Sequence, residues 1–160
     1  MTAQVGVIGA GAWGTALAQA LAGDGSEVLL WAREPELIAQ INGERRNGLY
    51  LPAVDLAPTI RATGALAELA ALPVLLVVVP AQFLASVITG LPDGERDLVL
   101  CAKGIEQGTG RLMADVAADA APHARLAVLS GPTFAHEVAA GLPTAVTLAC
   151  SGGAAQWDRL

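Results

Sequence analysis

Residues 4–14 read QVGVIGAGAWG: a short apolar run that stops at Gly9 and continues as Gly9-x-Gly11-x-x-Gly14. A compact apolar run closed by glycine predicts a buried strand. Beyond it, Ala16, Leu17, Ala20 and Leu21 recur at helical spacing until Gly23 and Gly25 stop the pattern. A glycine motif between a strand and a helix has a physical meaning that the same letters lack elsewhere. Gly9 permits a tight turn, Gly11 lets backbone approach a pyrophosphate, and Gly14 lets the helix lie close on the strand. The helix start then offers unpaired N–H groups and a positive dipole end to phosphate oxygens.

Outward from this motif the same alternation repeats. EVLLWA (27–32) predicts a second strand, and PELIAQINGE (35–44) a helix with Pro35 in its first turn. Residues 45–58 read as loop, punctuated by Pro52 and Pro58. A strand over 59–63 and a helix over 64–72 follow. VLLVVV (74–79), six apolar residues of which four are β-branched, predicts a central strand buried on both faces. A helix over 81–90, a strand over 97–102, a helix over 109–121 and strands over 125–130 and 144–150 complete the pattern. AAQWDRL (154–160) opens like a helix, in which Trp157 and Leu160 need something to pack on. Such alternation predicts an α/β fold of Rossmann type: a doubly wound, mostly parallel sheet with helices on both faces.

Composition narrows the partners. Hydrophobic residues make up 54% of the 160 and charged residues 15%, which excludes a disordered chain. A formal charge of −6 argues against nucleic acid or an anionic membrane as partner, so an anionic ligand has to be held by local donors. The most apolar window is cut by Pro73 and Pro80 and suits a buried strand, not a bilayer helix. Cys101 and Cys150 each end an apolar run and read as buried, reduced thiols, consistent with a cytoplasmic protein.

Four further segments carry chemistry-bearing residues. At the end of the second strand, where an acidic residue would bind the ribose hydroxyls of NAD, stands Arg33, followed by Glu34. An arginine there suits the 2′-phosphate of NADP. VVVPAQ (77–82) runs into Pro80, with Phe83 read as core. CAKGIE (101–106) holds Lys103, the one lysine beside eight arginines, at a strand end over the ligand crevice; Glu106 is its candidate charge partner. LSGPTFAHEVAAGLPTA (129–145) again runs from strand through a turn into a helix, and Thr133 is a candidate donor to a small polar substrate. His136 and Glu137 are adjacent and do not face each other on a helix, which favours a surface role; His123 reads as incidental. No metal-ligand cluster stands out.

Taken in order, GVIGAGAWGTALA (6–18), LWAR (30–33), NGLYLP (47–52), VVVPAQ, CAKGIE and LSGPTFAHEVAAGLPTA resemble the N-terminal domain of the NAD(P)-dependent glycerol-3-phosphate dehydrogenases. The resemblance implies reversible reduction of dihydroxyacetone phosphate to sn-glycerol 3-phosphate, feeding phospholipid synthesis, with NADP or NAD as cofactor; Arg33 favours NADP. To the glycines Gly9, Gly11 and Gly14 of the motif the resemblance adds cofactor contacts at Ala12, Trp13, Arg33, Lys103 and Ala135, and substrate contacts at Lys103, Gly131 and Thr133. That family carries a second, all-helical domain with the lysine that acts as general acid/base. The expectation is therefore a dinucleotide-binding domain over 1–150 and a connector over 151–160 leading to that helical domain. No catalytic acid/base is expected within the chain: the lysine is expected beyond Leu160, and the chain alone should bind cofactor with little or no turnover. The full-length protein would be a candidate homodimer. A ketopantoate reductase-like or nucleotide-sugar dehydrogenase, and a non-catalytic NAD(P)-sensing module, stay open as alternatives.

Overall fold

Short runs, most of them rich in valine, leucine and isoleucine, are too brief for helices and largely withdrawn from water. In the computed structural model, which describes residues 4–160, these runs are the strands β1 (Val5–Ile8), β2 (Val28–Trp31), β5 (Ile60–Thr63), β6 (Val74–Val77) and β7 (Asp97–Leu100). With β8 (Arg125–Ser130) and β9 (Thr147–Cys150) they form one seven-stranded sheet of order β5-β2-β1-β6-β7-β8-β9. Every pairing is parallel except β8–β9. Val5 sits level with Val28 on one side and Val74 on the other.

Because side chains alternate across a strand, each run feeds two cores. Val7, Leu30, Leu76 and Val99 pack on one face beneath α1 (Ala12–Leu21) and α2 (Pro35–Glu44), through Leu17, Leu37 and Ile41. Ile8, Leu29, Leu75, Val77, Leu98 and Leu100 pack on the other beneath α3 (Leu84–Thr89) and α4 (Met113–Ala120), through Leu84, Ile88, Met113 and Val116. Each fully buried side chain of this kind stabilises by about 1.5–3 kcal/mol. The short α5 (Ala135–Ala139) lies against α1, and α6 (Gly153–Arg159) follows β9.

At the N-terminal foot of the sheet, the buried carboxylate of Asp97 accepts hydrogen bonds from Arg125 Nε at 3.1 Å and from Arg159 Nε at 3.0 Å. Burial alone would raise its pKa. The two guanidinium groups outweigh that effect and hold it below the usual carboxylate value. The last helix is thereby tied to the middle of the sheet.

The two large apolar residues at the chain's end, Trp157 within α6 and Leu160 after it, part company. Leu160, directly after α6, is half-buried: it packs against the first core, and its N–H donates to the Gln156 carbonyl at 3.1 Å. Its need for a packing surface is thus met within the chain, whereas Trp157 stays exposed. The stretch 151–160 is helical over Gly153–Arg159, as the sequence suggested, and docked at both Arg159 and Leu160.

Several segments differ from the sequence reading. Residues 45–58 contain a two-stranded hairpin, β3 (Arg46–Asn47) and β4 (Leu51–Asp55), with a register shift between Arg46 and Asn47. Pro52 fits because this ribbon has free edges, where a missing N–H costs no ladder bond. The helix expected over 64–72 shrinks to a single 3-10 turn at Leu66–Leu69. The helix expected from 109 begins at Met113, since Gly108 and Gly110 adopt positive φ and an Ile105–Leu112 bridge closes the preceding loop. Cys150, on the antiparallel edge strand, is half-buried, not buried as Cys101 is. Among the described residues, no helix is long and apolar enough to cross a membrane.

Candidate functional site

The strand order reverses direction at β1, with β2 on one side and β6 on the other, and open parallel sheets bind ligands in the crevice outside such a point. A cleft of about 590 Å³ lies there, at the carboxyl ends of β1, β2, β6 and β7. Its volume falls in the range of small-molecule and cofactor sites.

The floor is the glycine loop. Gly9 has φ +114°, a conformation L side chains rarely adopt, and its N–H is held by the Trp31 carbonyl at 3.0 Å. Gly11 is the N-cap of α1; among the described residues no side chain caps the helix, and a β-carbon at Gly11 would meet nothing within 4 Å. The uncapped N–H groups of the first turn are available to an anion. At Gly14 a β-carbon would collide with the Gly9 carbonyl oxygen, so only glycine allows the helix to start here.

The walls are apolar and aromatic. Trp13, Trp31, Val79, Pro80, Phe83 and Val87 line them, suited to flat ring systems. Trp31 is oriented by its Nε1–H, which donates to the Gly64 carbonyl at 3.0 Å. Tyr50, on the turn between β3 and β4, closes one side. Cys101 contributes a buried thiol whose pKa desolvation pushes up to about 12, so it stays protonated and inert at neutral pH.

Two cations stand on the lining. Arg33 is largely exposed and paired with Glu34 at 3.2 Å, an exchangeable surface contact that leaves most of the guanidinium free. Lys103 is exposed and makes no hydrogen bond or ion pair among the described residues, and Gly104 beside it turns the chain at φ +122°. Glu106 is not its partner; that carboxylate accepts from the Thr109 hydroxyl within its own loop.

The cleft thus brings together Gly9, Gly11, Trp13, Arg33 and Lys103. Ala12 and Gly14 lie behind the lining, in the first turn of α1. Gly131, Thr133 and Ala135 do not line it. Gly131 and Thr133 follow the end of β8, at the same edge of the sheet beyond β7, and Ala135 begins α5, which packs beside Trp13. Thr133 Oγ1 is buried with no partner among the described residues, a polar group whose bonding capacity is unused there. Phe83, read from sequence as core, is 53% exposed and faces the cleft, because the 3-10 turn after Pro80 rotates it off the α3 packing stripe. Trp31, Glu34 and Tyr50 were not singled out as site residues; only their position at strand or hairpin ends could have flagged them. His136 is exposed and stacks on Phe134, and His123 pairs with Asp93 on the surface.

A cleft with an uncapped helix start at its floor, aromatic walls and two cations on its lining has the features a dinucleotide requires. The chain is 69% identical over its whole length to a glycerol-3-phosphate dehydrogenase [NAD(P)+] of Novosphingobium aromaticivorans, covering 48% of that protein. It is 63% identical, again over its whole length and 48% of the relative, to one from Erythrobacter litoralis. The chain therefore spans about half the length of the curated relatives it matches. The crystal structure of the Coxiella burnetii glycerol-3-phosphate dehydrogenase superposes with a TM-score of 0.86 at 37% identity, over 97% of this chain and 48% of that one. The family described as NAD-dependent glycerol-3-phosphate dehydrogenase N-terminus matches residues 4–155, and the chain belongs to that family.

Proposed function

We propose that this chain is the cofactor-binding part of an enzyme that reversibly reduces dihydroxyacetone phosphate to sn-glycerol 3-phosphate, with NADPH favoured over NADH. The observation that carries the reading is the cleft at the strand-order reversal, floored by Gly9–Gly14 and bearing the unpaired Lys103. When bound, the dinucleotide supplies the hydride. The N–H groups at the start of α1 hold its pyrophosphate, with Ala12 and Trp13 along it, and Arg33 meets the 2′-phosphate. Ala135 touches the cofactor from α5. Lys103, a compact cation, holds the anionic substrate beside the nicotinamide, and Gly131 with the unpartnered Thr133 hydroxyl lines the substrate side.

Reducing a ketone also requires a proton at the developing alkoxide. We assign that step to a lysine beyond Leu160, in the C-terminal half of the full-length protein, with 1–150 as the cofactor domain and 151–160 as connector. The whole enzyme is proposed to work in the cytoplasm, as a homodimer.

The test is calorimetric titration of the 160-residue chain with NADPH and with NADH, alongside turnover assays with dihydroxyacetone phosphate. Binding of NADPH more tightly than NADH, with negligible turnover, is expected. Binding of neither nucleotide would overturn the reading.

A further inference from the structure

Asn47, at the end of β3, is fully buried although it is polar. Its amide is bonded at both ends. Nδ2 donates to the Ala10 carbonyl at 2.8 Å and to Thr15 Oγ1 at 2.7 Å, and Oδ1 accepts the Tyr50 N–H at 2.9 Å. The Thr15 hydroxyl adds a second bond to the Ala10 carbonyl at 3.2 Å. These partners fix the orientation of the amide: reversed, its oxygen would face a carbonyl oxygen, and its NH₂ the Tyr50 N–H.

The peptide between Ala10 and Gly11 is trans, so its C=O and N–H point to opposite sides. Two donors draw the Ala10 oxygen inward, and the Gly11 N–H is thereby turned toward the open cleft, where no group among the described residues accepts it. This peptide follows Gly9 and ends on Gly11, a setting in which backbone rotates freely. Rotated, it would present a carbonyl oxygen to the place where the helix start otherwise offers N–H groups, and would repel an anion. The same Asn47 amide fixes the backbone of Tyr50, which forms one wall.

We infer that Asn47 is a positioning residue for phosphate binding: it locks the Ala10–Gly11 peptide with its N–H facing the cleft and ties the Tyr50 turn to that loop. The inference rests on the dinucleotide reading above and names a residue outside the glycine motif on which the floor depends.

The experiment measures binding of NADH, ADP and adenosine to the 160-residue chain and three variants, with thermal unfolding of each recorded in parallel. Asn47→Asp keeps the shape but turns the donor into an acceptor. Thr15→Val removes the second donor. Gln40→Ala cuts a different anchor of the same hairpin, the bond from Gly48 N–H to Gln40 Oε1 at 2.8 Å, without touching Ala10. Asn47→Asp is expected to weaken NADH and ADP at least tenfold, and Thr15→Val at least threefold, while the ADP-to-adenosine affinity ratio falls in both. Gln40→Ala is expected to stay within twofold. A folded Asn47→Asp with the wild-type ratio, or an equal loss in Gln40→Ala, would overturn the inference; should Asn47→Asp not fold, an unchanged ratio in Thr15→Val does so instead. Failure of the wild-type chain to bind NADPH, NADH and ADP alike would overturn the dinucleotide reading itself and this inference with it.

Discussion

Gly14 lies in backbone contact with Gly9: a β-carbon at Gly14 would stand 1.8 Å from the Gly9 carbonyl oxygen. The clash is with main chain, which cannot swing aside, so Gly14→Ala is expected to destabilise the fold by about 3 kcal/mol or more. Gly11, in the same motif, has open space at its Cβ position. Gly11→Ala should therefore fold within about 0.5 kcal/mol of wild type and lose nucleotide affinity, because its methyl occupies the cleft floor. Thermal unfolding and titration of the two variants separate the structural glycine from the ligand-facing one.

The Arg33–Glu34 pair predicts a specificity pattern. Arg33→Asp is expected to cost NADPH roughly tenfold or more in affinity, the scale of a lost hydrogen bond to a charged group, and NADH much less. Glu34→Gln removes the competing carboxylate and should tighten NADPH by about two- to threefold, as expected for an exposed ion pair. Parallel losses for both nucleotides in Arg33→Asp would remove Arg33 from the 2′-phosphate site.

Cys101 should be chemically silent although its residue lines the cleft. Its thiol is desolvated, with a pKa pushed up to about 12, and its Sγ sits 3.7 Å from the Val99 carbonyl. At mildly alkaline pH a thiol reagent is expected to modify the less buried Cys150 first and to reach Cys101 only as the protein unfolds. Rapid modification of Cys101 in the folded chain, read by peptide mass, would show that the strand end is looser than its packing implies.

Asp97 links stability to acid. Its folded pKa is lowered below the ordinary 3.8, so its contribution is fully present above that value and is lost as pH falls through the folded pKa. Asp97→Asn is expected to cost roughly 2–4 kcal/mol at neutral pH, with the outer exposure of Arg125 and Arg159 keeping it from the top of the range for buried pairs. The variant should also lose less further stability under acid conditions than the wild type does. Denaturant midpoints measured from neutral pH downward through the carboxylate range check both statements.

The middle of the sheet was legible because its strands are largely buried on both faces and read as apolar runs; VLLVVV admits few other interpretations. The hairpin at 46–55 was not, since β3 has two residues and is tied down by the buried Asn47 amide, with an exposed Arg46–Asp55 pair at 2.8 Å across it, neither of which leaves a periodic signal. Leu160 was read as wanting a surface, but which surface depends on the ion pairs that Arg159 makes with Asp97, 62 residues away in the chain. The floor of the site was legible because glycine is chosen there for backbone geometry. Its walls were less so: a phenylalanine carries the same letter whether it faces a core or a cleft, and at Phe83 the short turn after Pro80 decides. Gly131 shows the converse, since a β-carbon there would meet the Ala145 carbonyl oxygen at 2.6 Å, giving it a packing reason independent of any ligand.

The placing of the indoles has an optical consequence. Trp13 and Trp31 both border the cleft, whereas Trp157, on α6, is 57% exposed and lies outside it. Two of the three fluorophores therefore sit where a reduced nicotinamide ring, which absorbs near the wavelengths at which indoles emit, would quench them by energy transfer. Emission from the unmodified chain can follow occupancy directly, and a Trp157→Phe variant would leave only the two fluorophores beside the cleft.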